Sequence, residues 1–145
     1  MSSDFEAVEA LVEFFEQLDP AALSRLSQLY ASQAYFKDPF NEVRGSDAIR
    51  QLFEHMYEVL ERPHFLITDR VVQEGQCVLM WEFRFRFKRF ERHRDQVIRG
   101  SSHIRFDAQG RVSYHRDYWD AAEELYEKIP GLGVLMRWLR RQAQG

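Results

Sequence analysis

Cys77-Val78-Leu79-Met80-Trp81-Glu82-Phe83-Arg84-Phe85-Arg86-Phe87-Lys88 alternates with a period of two. Cys77, Leu79, Trp81, Phe83, Phe85 and Phe87 fall on one side, and Glu82, Arg84, Arg86 and Lys88 on the other. Successive side chains of a strand point to opposite faces, so the run reads as a half-buried strand over 77–90, aromatic inside and basic outside. Residues 64–73, 96–107 and 111–119 are further strand candidates. Asp107-Ala108-Gln109-Gly110 joins the last two, with a glycine available for positive φ. Upstream the period becomes helical. Phe5, Val8, Val12, Phe15 and Leu18 share a face, with Glu6, Glu9, Glu13 and Glu16 turned elsewhere. Asp19-Pro20 opens a shorter second helix carrying Leu23, Leu26 and Leu29 and ending near Ser32. A short strand over 34–37 stops at Asp38-Pro39. Ser46 caps a third helix, whose inner face is Ile49, Leu52, Phe53, Met56 and Leu60 and which Pro63 ends. Three helices followed by a strand meander is an α+β pattern: a mainly antiparallel sheet against three N-terminal helices.

No repeat, low-complexity tract or linker interrupts the 145 residues, so one domain over 1–145 is expected. After Asp120 helix resumes to Lys128 and breaks at Pro130-Gly131. A last segment carries Leu132, Leu135, Met136, Trp138 and Leu139 beside Arg137, Arg140 and Arg141. Residues 121–145 therefore read as a helical extension of the same domain. The segment's bland reading is packing over the rest of the molecule or a dimer contact; the sharper one is membrane contact. Twelve Phe, six Tyr and three Trp are enough aromatic surface for a sizeable core or an apolar cavity. A net charge of −3 argues against nucleic acid, and the Phe residues and cations of 83–94 fall on opposite faces, whereas a stacking platform needs them together. No apolar run approaches ~20 residues, and the opening Met-Ser-Ser-Asp-Phe-Glu lacks the basic start and apolar stretch of a signal peptide. A cytoplasmic location is expected. The lone Cys77 forms no internal disulfide, and no metal or organic cofactor is implied.

Three stretches carry a resemblance. They are Ala34-Tyr35-Phe36-Lys37-Asp38-Pro39 with Gly45-Ser46-Asp47-Ala48-Ile49-Arg50; Ser102 to Val112; and His115-Arg116-Asp117-Tyr118-Trp119-Asp120. In order and motif the chain, over about residues 5–120, resembles the ketosteroid isomerase and SnoaL-like polyketide cyclase branch of the nuclear transport factor 2-like superfamily. The resemblance implies a cone: a strongly curved sheet wrapped around the helices, with a pocket at the wide end. Relatives pair through the outer face of the sheet, so a homodimer is expected, with Arg84, Arg86 and Lys88 on that face.

Asp38 falls where the steroid isomerases keep their proton-abstracting aspartate. Its plain alternative is a turn residue before proline. The isomerases' oxyanion-stabilising tyrosine and protonated aspartate would fall at Phe14 and Ser102, and a supporting tyrosine near Phe53. Two strong donors are then missing, and that mechanism is not expected. Asp117 resembles the last-strand aspartate of limonene epoxide hydrolase, part of an Asp-Arg-Asp set that activates water; the other members would fall at Phe83 and Phe85, so the set is incomplete. Alternation puts Ser113, His115, Asp117 and Trp119 on one face, where His115 and Asp117 can share a proton or orient water. The alternative is a buried structural acid. The resulting expectation is Asp38, His115 and Asp117 as candidate catalytic residues. The expected pocket wall is Phe14, Phe53, Met56, Trp81, Phe83, Phe85, Ser102 and Trp119. The ligand is a small, largely apolar carbonyl or epoxide-like molecule. A non-catalytic ligand carrier or assembly domain is the competing class.

Overall fold

A computed structural model describes residues 2–89, 92–124 and 132–144; the side chains of residues 2, 3, 132, 133, 135, 136 and 140 are not described. The elements are α1 (Ser2–Glu16), a 3-10 turn (Ala21–Arg25), α2 (Leu26–Leu29), β1 (Tyr30–Lys37), β2 (Glu42–Arg44), α3 (Ser46–Val59), β3 (Leu60–Gln73), β4 (Gln76–Phe87), β5 (Gln96–Phe106), β6 (Val112–Tyr118), α4 (Ala121–Glu124) and α5 (Leu132–Gln144). The six strands form one curved sheet in the order β2-β1-β6-β5-β4-β3, antiparallel except where β1 runs parallel to β6. The α+β reading is confirmed.

The alternation of β4 decides which side is the core. Cys77, Leu79, Trp81 and Phe85 are buried and meet Val8, Leu11, Val12 and Phe15 of α1 and Ile49 and Phe53 of α3. The outward cations of β4 are met locally. Arg84 pairs with Glu82, Arg86 with Asp95, and the Lys88 ammonium donates to the Tyr57 carbonyl. Glu9 and Glu16 of α1 turn instead to β3, binding Arg70 and the Ile67 amide.

Several boundaries depart from expectation. The second helix ends at Leu29 rather than near Ser32, and β1 begins at Tyr30, because Tyr30 is pulled into the core beneath the sheet. The third helix ends at Val59, not at Pro63. Pro63 lies inside β3, between the register positions Glu61 and His64 where the ladder shifts, so its missing N–H breaks no regular rung. Ser46 is the first residue of α3 and makes no capping bond; Gly45, at φ 104, makes the turn before it. Phe5 is 60% exposed, beyond the reach of the core. Strand β2 has no counterpart among the expected elements; at three residues it has no period to detect. Strand β4 ends at Phe87, short of the expected 90, with residues 88–89 in a bend; the expected continuation of helix from 125 to 128 and the break at Pro130-Gly131 lie outside the described residues. On α5, Val134, Trp138 and Leu139 are exposed, so these three do not pack over the molecule. Among the described residues no helix is long and apolar enough to cross a membrane.

Gly100 of β5 sits opposite Trp81 in the register, and the indole lies across it. A Cβ there would stand 2.6 Å from the Trp81 ring and 2.9 Å from the Tyr118 carbonyl oxygen. The ring is buried and the carbonyl belongs to the backbone, so neither can give way cheaply. Gly100→Ala is expected to destabilise the protein by about 1–3 kcal/mol, read as a lowered melting temperature; an unchanged melt would show that the indole has room to move.

Candidate functional site

Two neighbouring strands assemble the site. In β6 the pleat turns His115 and Asp117 inward together. Antiparallel pairing with β5 sets Ser102 opposite Asp117, and pairing with β4 sets Leu79 opposite Ser102. Trp81, two residues along β4 on the same face, then reaches Ser102 with its indole N–H, at 2.8 Å. The Ser102 hydroxyl lies 2.5 Å from Oδ1 of Asp117, His115 Nε2 lies 2.7 Å from the same oxygen, and the Tyr30 hydroxyl lies 2.7 Å from His115 Nδ1. These five side chains form one hydrogen-bonded chain across the floor of the sheet.

The direction of every bond follows from chemistry. An indole N–H only donates, so Ser102 accepts from Trp81 and gives its own proton to Asp117. Burial, reinforced by the charge of Asp117, raises the Tyr30 hydroxyl well above its ordinary pKa, so it stays protonated. Its one partner among the described residues is His115 Nδ1. The arrangement that satisfies every donor is therefore Tyr30 donating to Nδ1, and a neutral His115 donating from Nε2 to Asp117. Phe36, Phe15 and Tyr30 close around the imidazole, with ring centroids at 4.8, 5.9 and 6.0 Å, and His115 is buried. Asp117 thus takes two hydrogen bonds on Oδ1 and none on Oδ2 from the described residues.

Asp117 borders two hollows. A cavity of about 320 Å³ opens between α3 and strands β3 to β5, bordered also by Phe36 of β1 and Asp117 of β6. Of the expected wall, Phe53, Met56, Trp81, Phe83, Phe85 and Trp119 line it, and Asp117 and Asp38 are on its surface. Below it a recess of about 20 Å³ reaches Ser102, His115 and Asp117, with room for about one water. Phe14 is elsewhere. It lines a separate groove with Glu13, Gln17 and Arg25 on the far side of α1, and its neighbour Phe15 faces the recess instead. One residue along a helix turns a side chain by about 100°, which the helical period alone did not resolve.

Asp38 is not brought into the chain. Its Oδ1 accepts from the amides of Phe40 and Asn41 and from the Asn41 side chain, at 2.8, 2.7 and 3.1 Å. That is the turn-forming arrangement. His55 is exposed on α3 beside Glu58, and His103 is on the outer face, bonded to Gln76. Burial pushes the Cys77 thiol up to about 12, so it is no nucleophile at neutral pH. Among the described residues no group of three or more His, Cys, Asp and Glu is gathered as metal ligands. Tyr30 is the residue that sequence reasoning missed; it stands where helix gives way to strand, and neither period flags it.

Residues 8–115 match the SnoaL-like domain family. This chain belongs to that family. Among solved structures, the SnoaL-like chain is similar to a protein of ketosteroid isomerase-like fold from Catenulispora acidiphila, solved in complex with trimethylamine (16% identity, 83% of this chain and 89% of that chain covered, TM-score 0.70). It is similar to a nuclear transport factor 2-like protein from Burkholderia pseudomallei (17% identity, 85% and 95% covered, TM-score 0.72). It is also similar to an LEH-like epoxide hydrolase from M. tuberculosis (15% identity, 92% and 95% covered, TM-score 0.69). At these identities the likeness is one of fold. No curated protein matches.

The network makes a clear forecast for Asp117. Both donors go to one oxygen, so an asparagine keeps them on its carbonyl and turns its NH2 to the cavity. Asp117→Asn is expected to change stability by less than about 1 kcal/mol, whereas Asp117→Ala strands the Ser102 and His115 donors and costs about 1–3 kcal/mol. Paired thermal melts check this; equal losses would mean that the negative charge itself holds the fold.

Proposed function

We propose that the cavity binds a small, largely apolar molecule and that Asp117 meets it as proton acceptor. The reaction is of the isomerase, cyclase or hydrolase kind, run by acid/base chemistry without a cofactor on a carbonyl or epoxide-like substrate. The observation that carries this reading is Asp117 on the surface of an aromatic cavity, with two donors on Oδ1 and none on Oδ2 among the described residues. A carboxylate held in one orientation in a low-dielectric wall is a better-placed base than one free to rotate in water. His115 and Tyr30 are positioning residues here, since both imidazole nitrogens are occupied. Asp38 contributes to the rim. The epoxide hydrolase and the trimethylamine complex among the structural relatives fit a scaffold that takes small organic molecules, though fold does not fix function.

A second reading, a ligand carrier without catalysis, is favoured by one observation. Every N–H and O–H of the network points inward along it, so none of the five side chains offers an oxyanion a donor.

The outer sheet face is the proposed self-association surface. Tyr35 stacks on Tyr114, and the guanidiniums of Arg44, Arg105 and Arg116 lie over Tyr35, Tyr114 and Tyr118. Tyr and Arg of this kind dominate interface cores, and they replace the locally paired Arg84, Arg86 and Lys88 as the basis for a homodimer. Light scattering is expected to give a dimer at high micromolar concentration, and a monomer in both low and moderate salt would remove the proposal.

Native mass spectrometry of the purified protein is expected to find a bound small molecule, lost in Leu52→Trp, which fills the cavity from α3. With Asp117→Asn, the ligand once identified should bind, more weakly if it carries a positive charge, but no longer turn over. Turnover undiminished in Asp117→Asn would exclude the base; a ligand retained in Leu52→Trp would exclude the cavity.

A further inference from the structure

We infer that the cavity selects for a positively charged ligand: an apolar body carrying a protonated or quaternary amine. This rests on the reading of the cavity as a ligand site and adds the ligand's charge. Whatever molecule fills the cavity takes water away from the Asp117 carboxylate on its wall, whose Oδ2 accepts no bond from the described residues. A desolvated carboxylate without a partner is costly, so the ligand must supply a donor or a cation. The protein does not supply it. The network gives Asp117 only neutral donors, and both are spent on Oδ1.

Among the described residues lining the cavity there is no Lys or Arg, while Asp117 and Asp38 are both present. Two cations, Lys37 and Arg116, line an adjoining open pocket that shares Asp38, Asp117 and Trp119 with the cavity, and each has a partner of its own. Lys37 lies 4.0 Å from Glu42, and Arg116 lies over the Tyr118 ring. His55, at the rim, is paired with Glu58 and largely exposed.

The rest of the wall decides between a neutral donor and a cation. Phe65, Phe83 and Phe85 form a stacked ladder with centroids 4.5 and 5.1 Å apart, Trp81 meets Phe65 edge-on at 5.9 Å, and Trp119 meets Phe40 at 5.6 Å. Aromatic rings attract a cation through their quadrupole, most strongly where water is excluded, and offer an alcohol no comparable gain. A ring attracts a cation at its face and not at its edge, and the stack covers the faces of Phe83, so it is the uncovered faces of the outer rings that act in the same direction as the carboxylate. The same wall disfavours an anion, since it carries Asp38 and Asp117 and, among the described residues, no Lys or Arg.

Calorimetric titration of the whole protein with phenylbutylamine, phenylbutanol and phenylbutyrate separates charge from apolar surface, because the three share a body and differ in the head group. The amine is expected to bind about ten-fold more tightly than the alcohol, with the carboxylate weakest. In Asp117→Asn the amine should lose that advantage while the alcohol binds as before; in Leu52→Trp all three should weaken. An alcohol or carboxylate that binds wild-type protein as tightly as the amine overturns the charge selection and leaves the apolar cavity standing. Failure of all three overturns both. An amine advantage that survives Leu52→Trp places the site elsewhere and overturns this one. If Asp117→Asn does not fold, shown by circular dichroism, the wild-type series alone decides.

Discussion

The register of β6 between its two neighbours is the constraint behind the site. Paired parallel to β1 and antiparallel to β5, β6 sets His115 beside Phe36 and Asp117 opposite Ser102. A slip of one residue would send Arg116 into the core and both acid and imidazole to the outside. The slip is prevented from several directions at once. Val112 and His115 are buried on the inner side, the Tyr30 hydroxyl meets the imidazole, and Tyr114 and Tyr118 are held under guanidiniums on the outer side. The polar chain and the strand register thus stabilise each other, as buried polar networks do when every member is satisfied.

Gly100 and Trp81 extend the same logic across the sheet. The absence of a side chain at Gly100 lets the indole lie over β5, and only from there can its N–H reach Ser102. That contact makes Ser102 an acceptor on one side, and so commits its proton to Asp117. Ser102 was expected as pocket wall. Its observed role is narrower and more consequential: with His115 it occupies one oxygen of Asp117 and leaves the other without a donor among the described residues.

Much of this was legible in the sequence because strands announce their faces. The alternation of 77–88 separated core from surface correctly, and the two-residue period placed His115 and Asp117 together, but Ser113, expected beside them, is not buried: the ladder shifts between Arg105 and Phe106, and Val112 takes the inner place. The helical face of α3 was equally plain. What was not legible depended on where one period hands over to another. Tyr30 belongs to a strand that begins directly after a helix, so neither pattern claimed it. Phe14 and Phe15 are both apolar and both buried, and only the packing of α1 against β3 decides that Phe15 turns to the cavity side. Pro63 looked like a helix stop because proline usually is one, yet a shift in the β3 ladder accommodates it.

The two aspartates show how little a residue type says without its hydrogen bonds. Both are on the cavity surface, and both were expected from the resemblance as working carboxylates. Asp38 accepts three N–H groups on one oxygen, two of them backbone amides of its own turn, and the other oxygen is also within reach of the Asn41 side chain, at 3.2 Å. Its lone pairs are spent on ending β1. Asp117 accepts from groups on two strands, both on one oxygen, and keeps the other clear. The difference lies in which element supplies the donors. A turn wraps its own amides around a carboxylate and leaves it little to offer. Neighbouring strands can bring side-chain donors from one side only, because the pleat separates the two faces. An acid in a strand beside a cavity therefore keeps one oxygen for whatever enters, and β6 holds Asp117 in that position.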